Sequence, residues 1–163
     1  MNTPPLMDKE IFCQQVIASQ DAMFRTARAI LRSREDAEDA VQEAICAAYA
    51  SRGSLRDPAR FRSWILKILV NKCYEFCRKR RTTVDLADVQ DFLPAPAADQ
   101  TERLSLWQAV MALNCDLRAV VTLFYYEDLS IREISAVLGI SEAAVKTRLS
   151  RGRSRLKQLL HEE

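Results

Sequence analysis

Ser130-Ile131-Arg132-Glu133-Ile134-Ser135-Ala136-Val137-Leu138-Gly139-Ile140-Ser141-Glu142-Ala143-Ala144-Val145-Lys146-Thr147-Arg148-Leu149-Ser150-Arg151 decides how the C-terminal part of this chain folds. Ser130 is a favoured helix N-cap and Glu133 follows three residues later, the spacing of a capping box. Ile131, Ile134, Val137 and Leu138 recur at helical spacing and give a short helix with one apolar face. Gly139 stands where the helix must end in a left-handed residue, a backbone that glycine adopts without a Cβ penalty. Ser141 then caps a second helix. Helix, three-residue turn and helix make a helix-turn-helix, whose second helix enters the major groove of DNA.

The second helix has two chemically different faces. Val145, Leu149, Leu156 and Leu160 are spaced four, seven and four apart around Gly152 and predict one buried seam. Lys146, Thr147, Ser150, Arg151 and Ser154 lie opposite as hydrogen-bond donors. Between residues 142 and 157 there are six bases against the single acid Glu142. A basic, hydroxyl-bearing face suits contacts to phosphates and base edges. A solvated basic helix closing a small bundle is the plain alternative.

Charge is segregated along the rest of the chain, although the net charge of its 163 residues is only +2. Glu35, Asp36, Glu38, Asp39 and Glu43 form an acidic block with no base between 35 and 43. Residues 60–81 carry eight bases and one acid, whereas residues 85–102 carry five acids and no base. Alternating blocks point to separate surfaces for separate partners. With 48% apolar and 28% charged residues and only 3 glycines, the composition is that of a globular, nearly all-helical protein.

Helical periodicity carries the reading toward the N-terminus. Residues 9–31 read as two helices broken near Ser19-Gln20. Ser33 caps a helix whose inner face is Ala37, Val41, Ala44, Ile45 and Ala48. Ser51-Arg52-Gly53-Ser54 ends it, and residues 55–60 form a loop in which Pro58 suits the next helix start. Phe61, Trp64, Ile65, Ile68, Leu69, Lys72 and Phe76 mark a long amphipathic helix ending in Arg78-Lys79-Arg80-Arg81. Core packing is the better reading of Phe61 and Trp64 than base stacking. Residues 83–100, with Pro94 and Pro96, read as an acidic linker. Asp99 and Glu102 can cap the helix bearing Leu104, Trp107, Val110, Met111 and Leu113, and another helix with Leu117, Val120, Val121, Leu123, Phe124 and Tyr125 precedes the helix-turn-helix. The expectation is an all-α protein of two small helical domains, residues 8–82 and 101–161, joined by a flexible acidic tether.

Other chemistries find little support. The five cysteines (Cys13, Cys46, Cys73, Cys77, Cys115) are odd in number and fit reduced, mostly buried thiols. Cys73 and Cys77 share a helix face, but no second pair completes a zinc set, and His161 is the only histidine. There is no glycine-rich phosphate loop and no catalytic triad candidate, so neither a cofactor nor an enzymatic activity is expected. No h-region opens the chain and no apolar run approaches a membrane span, so a cytoplasmic protein without membrane insertion is expected.

Three motifs in order resemble bacterial RNA-polymerase sigma factors of the extracytoplasmic-function class in the sigma-70 family. Asp36-Ala37-Glu38-Asp39-Ala40-Val41-Gln42-Glu43-Ala44 resembles the helix that grips the polymerase clamp. Phe61-Arg62-Ser63-Trp64-Ile65 with Val70-Asn71-Lys72-Cys73-Tyr74-Glu75 resembles the helix used on the −10 element. The helix-turn-helix resembles the domain that reads the −35 element. The resemblance covers about residues 22–160 and implies a promoter-specificity subunit that binds core RNA polymerase (clamp helices and flap) and promoter DNA, and that an anti-sigma factor regulates. It implies clamp contacts by Asp36, Glu38, Asp39, Gln42 and Glu43. It implies −10 contacts by Leu55, Arg60, Arg62, Lys67, Asn71, Lys72, Arg78 and Lys79, with Asn71 matching a base-contacting residue. It implies −35 contacts by Ser141, Lys146, Thr147, Arg148, Ser150, Arg151 and Arg153. Cys115-Asp116 replaces a proline-containing turn of the family, and Gly152 replaces a more usual alanine. A helix-turn-helix regulator acting apart from polymerase leaves the acidic helix unexplained. A protein-only helical adaptor would show no salt-dependent DNA affinity.

Overall fold

The computed structural model describes residues 7–82 and 106–161, and the side chains of all but 80–82. The side chains of Arg80 and Arg81 at the end of the basic run, the acidic tether and the Asp99–Glu102 cap therefore lie outside what is described. Among the described residues every regular element is helical.

Three long helices build the N-terminal domain: α1 (Lys9–Ile30), α2 (Arg34–Ala50) and α3 (Phe61–Thr82). Helix α1 is continuous, which corrects the expected break at Ser19-Gln20. No glycine or proline interrupts its hydrogen-bond ladder, and Ser19 is buried on the packed face. Ser33 accepts a hydrogen bond from the Asp36 N–H at 3.2 Å, so α2 starts where the capping pattern places it. Its buried residues are Ala37, Ala40, Ala44 and Ala48, and small side chains bring α2 close against α1 and α3. The connection to α3 holds two short 3-10 turns, Arg52–Ser54 and Pro58–Arg60. Asp57 caps the second by accepting from the Ala59 N–H at 3.0 Å. Phe61 is buried and stacks edge-on against Phe12, 5.9 Å between ring centroids.

Among the described residues, four helices form the C-terminal domain: α4 (Leu106–Met111), α5 (Cys115–Val121), α6 (Ile131–Leu138) and α7 (Glu142–His161). Asn114 caps α5, accepting from the Leu117 N–H at 3.0 Å, which replaces the proline-containing turn. The expected helix through Tyr125 is divided, because a π-type turn at Thr122–Tyr126 succeeds α5. The helix-turn-helix forms as its sequence predicts. Ser130 and Glu133 make both bonds of the capping box, and Gly139 ends α6 at φ 67°.

Gly152 has a packing role. A Cβ built there would lie 2.7 Å from Val121 Cγ2, so glycine is what lets α7 close onto α5. Val145, Leu149 and Leu156 are buried beside it as expected, but Leu160 is exposed on the rim of an apolar groove.

The two domains are packed together. Helix α6 lies against α3, and α5 with the π-type turn lies against α1. The buried apolar residues of both domains form one cluster. Core burial at about 25 cal/mol per Å² favours this closed arrangement over two separate small cores.

Candidate nucleic-acid interface

Helix α2 turns its acids outward because its alanine stripe turns inward. Glu38, Asp39, Gln42 and Glu43 are exposed, while Asp36 is half-buried in the first turn. Glu38 is paired with Arg34 at 3.2 Å, an exposed i,i+4 contact worth only a few tenths of a kcal/mol. Gln42 and Glu43 border a shallow depression together with Lys72 of α3. The structure thus places Lys72, expected among the −10 contacts, beside the acidic face, where it also pairs with Glu75 at 3.5 Å.

The other −10 candidates are placed in different ways. Lys67, Asn71 and Arg78 are exposed and fall four and seven residues apart, which puts them on one face of α3. Lys79 is also exposed. Leu55, Arg60 and Lys67 line a cleft of about 840 Å³ between the 54–67 segment and α6, together with Trp64. Trp64 packs on Phe61 at 5.6 Å but is only half-buried, so it serves the core with one edge and the cleft with the other. Arg62 behaves differently. Its Nη2 donates to Glu127 Oε2 at 2.7 Å, across the seam between the domains.

On α7 the side chains of Lys146, Ser150 and Arg153 make one exposed stripe, with Thr147 and Arg151 beside it. Thr147 is not the outward donor expected of it. Its hydroxyl donates to the Ala143 carbonyl at 3.0 Å, leaving an acceptor lone pair outside. Arg148 is half-buried, 4.0 Å from Asp116, and ties α7 to α5. Ser141 caps α7, accepting from the Ala144 N–H at 3.1 Å. Lys146, Ser150, Arg151 and Arg153 therefore present four side chains outward from one rigid helix.

Three charged residues that the sequence reading passed over hold the seam. Glu127 has a fully buried carboxylate that accepts from Arg25 Nε at 2.6 Å as well as from Arg62. Its hydrogen bond raises the pKa of Arg25, partly offset by burial of that guanidinium. Arg118, also buried, donates to the carbonyls of Ala29 in α1 and Leu113. Burial lowers its pKa, with Arg32 and Arg28 acting in the same direction. The one available signal was a charged residue inside the apolar run from Leu117 to Leu123.

The cysteines need a correction. Cys13 and Cys46 are exposed, Cys77 and Cys115 are half-buried, and only Cys73 is fully buried. Burial pushes the Cys73 thiol well above its ordinary range, which disfavours the reactive thiolate. Among the described residues no three His, Cys, Asp or Glu side chains come together as metal ligands. No described helix is long and apolar enough to cross a membrane.

An acid-faced helix, a basic helix packed beside it and a capped helix-turn-helix define a two-domain helical DNA-binding protein. Residues 16–83 match the family model described as Sigma-70 region 2, and residues 103–156 match that of Sigma-70, region 4. The ECF RNA polymerase sigma factor SigM of Mycobacterium tuberculosis is 34% identical over 159 residues, covering 94% of this chain and 79% of that protein. Among solved structures, the sigma factor RpoE in complex with the anti-sigma factor NepR from Bartonella quintana is 26% identical, with a TM-score of 0.74 over 93% of this chain and 98% of that one. CnrH in complex with the cytosolic domain of CnrY is 27% identical, with a TM-score of 0.65 over 94% and 90% of the two chains. The chain belongs to the sigma-70 family of RNA-polymerase sigma factors, in its extracytoplasmic-function class.

Proposed function

We propose that this sigma factor divides its work by charge: α2 seats it on core polymerase, while α3 and α7 engage promoter DNA at two places. The observation that carries this reading is the order of surfaces along one chain, an acidic helix, a basic helix and a capped reading helix, each backed by a packed apolar face. Asp36, Glu38, Asp39, Gln42 and Glu43 form the polymerase contact, with Asp39, Gln42 and Glu43 at its centre on one helix face. Residues 8–82 carry this contact and the −10 contact, residues 83–100 tether, and residues 101–161 read the −35 element.

In the −10 contact, Lys67, Lys72, Arg78 and Lys79 hold phosphates, Asn71 reads a base, and Leu55 and Arg60 border the cleft that receives an unstacked strand. Unstacking costs a few kcal/mol and is offset by these phosphate and pocket contacts. In the −35 contact, Lys146, Ser150 and Arg151 face base edges and Thr147 offers an acceptor. Arg148 and Arg153 flank the phosphates, and Ser141 fixes the start of the helix. Arg151 brings a forked guanidinium able to bind guanine bidentately, whereas Lys146 acts as a point charge. The factor contributes no catalytic group, acts in the cytoplasm, and is held in reserve by an anti-sigma factor, as the RpoE complex with NepR suggests by analogy.

Run-off transcription with purified core polymerase on a genomic promoter library tests the whole reading. Specific transcripts are the expected result, and their absence with folded protein overturns it. Reversing Asp39 and Glu43 to lysine should abolish binding to core polymerase while leaving helix content unchanged. Undiminished binding by that double variant would remove α2 from the interface. Arg151→Ala should lose about 1–3 kcal/mol of discrimination at the upstream element. Uniform weakening on every sequence would instead make Arg151 a phosphate contact.

A further inference from the structure

One apolar surface of the C-terminal domain has no cover among the described residues. Leu106 of α4, Tyr125 of the π-type turn and Leu160 of α7 are 52%, 48% and 38% exposed, although all three are large and mostly apolar. They border a groove of about 390 Å³ whose floor is the buried Val110, Val121 and Leu156. Clustered exposure of this kind marks a place where something docks. Arg153, Lys157 and His161 also line the groove, four residues apart on α7 and so in a row with steps of about 6 Å. Among the described residues no acid lines it.

The chain itself carries a stretch with the matching pattern. Leu86, Val89, Phe92 and Leu93 recur at steps of three and four residues, the spacing of anchors in helix-in-groove recognition. Asp85, Asp88 and Asp91 repeat every three residues beside them, and Pro94 closes the pattern. Wound as a helix, the stretch would set a row of acids along one edge of an apolar stripe. That is the complement of an apolar groove edged by a row of bases. Reach is ample, because Leu106 itself lines the groove and follows Phe92 by only 14 residues. Those residues span up to roughly 45 Å when extended.

We propose that residues 85–93 of the same chain dock in this groove, with Leu86, Val89 and Phe92 on its apolar floor and the three aspartates beside Arg153, Lys157 and His161. Attachment within one chain sets an effective concentration of about a millimolar. A contact too weak to hold two separate molecules together is therefore formed most of the time. The docked stretch covers Leu106, Tyr125 and Leu160, and any protein that uses the groove must first displace it. The inference concerns one groove of one domain and rests on neither the polymerase contact nor the DNA contacts proposed above.

The test uses the full chain with labelled methyl groups. A nuclear Overhauser contact between the Phe92 ring and the Leu160 methyls is expected in dilute protein. Phe92→Ser with Leu93→Ser removes two anchors from outside the described domains, so helix content by circular dichroism should stay the same. The affinity of the vacated groove for the neutral dye Nile red should rise about threefold, the reciprocal of a vacant fraction of one third. A peptide of residues 84–94 at millimolar concentration should reverse that rise. Lys157→Glu should weaken the Phe92–Leu160 contact, and Asp88→Lys with Asp91→Lys in the same chain should restore it. A missing contact, or an unchanged dye affinity in the double serine variant, overturns the docking. A contact that strengthens with protein concentration puts a second copy in the groove and overturns it equally. Failure of the charge exchange to restore the contact overturns the pairing of acids with bases. No measurement here uses polymerase or a promoter, so failure is separate from failure of the transcription assay.

Discussion

The helix-turn-helix and the seam between the domains solve the same problem, satisfying polar groups next to a core, over very different distances in sequence. In the helix-turn-helix every cap is local: Ser130 with Glu133, Gly139 with Ser135, and Ser141 with Ala144 lie within five residues of each other. In the seam, Glu127 meets partners 102 and 65 residues away, and Arg118 reaches a carbonyl 89 residues away. Local caps fix one module and leave it free to move as a unit. Long-range buried charges couple two modules, because breaking one contact strands a desolvated charge on the other.

The largest effect that can break this comparison comes from the seam. Glu127→Ala should cost about 3–5 kcal/mol, since it leaves two guanidiniums without their shared carboxylate. Differential scanning calorimetry should then show two separate transitions in place of one. A single transition with an unchanged midpoint would mean that the seam does not couple the domains. Next in size is Gly152→Ala. Overpacking against Val121 Cγ2 costs about 1–3 kcal/mol, partly offset by about 1 kcal/mol of better helix propensity. Val121→Ala in the same chain should recover much of the loss, which a double-mutant cycle by urea denaturation would measure.

A smaller effect isolates the local caps. Ser130→Ala should cost about 1 kcal/mol and lower hydrogen-exchange protection in the first turn of α6, leaving α1 and α3 unaffected. Loss of protection in α1 would show that the helix-turn-helix and the seam are one cooperative unit. The smallest effect concerns Tyr74 of α3, which lies near Cys115, Arg148 and Asp116 of the other domain. Burial, reinforced by Cys115, pushes its pKa up to about 12 from 10. The folded state thus holds the proton more tightly than the unfolded one. The resulting stability is fully present below about pH 10 and is lost as pH rises toward 12. Tyr74→Phe should flatten the stability–pH curve in that window in denaturant titrations. An unchanged slope would assign alkaline weakening to other groups, Cys73 among them.

The sequence reading and the structure agree and disagree along the same divide. The caps at Ser33, Ser130 and Ser141 and the left-handed Gly139 depend on residues within one or two helical turns, so spacing was enough to find them; on α2 spacing found Ala37, Ala44 and Ala48 but missed Ala40, and Val41 and Ile45 are only half-buried. The break expected in α1 did not form because burial of Ser19 on the packed face prevailed over a weak local preference. Leu160 fits the apolar seam by spacing, yet α7 runs past the body it packs on, leaving Leu160 on a groove rim. Periodicity assigned Thr147 outward and the family resemblance gave Arg148 a DNA contact, and neither can show that the Thr147 hydroxyl bonds back to Ala143 or that Arg148 leans toward Asp116.

By itself the sequence determined what each segment is: helical periods set the helices, capping residues set their ends, and blocks of charge set which faces look outward. Those are short-range matters, decided by residues that are neighbours on one helix. Only the tertiary structure decided that Arg62 is held by Glu127, that Arg118 closes the end of α1, and that Gly152 admits Val121. Each depends on atoms brought together from distant parts of the chain by burial of a common apolar core, which no spacing along the sequence records.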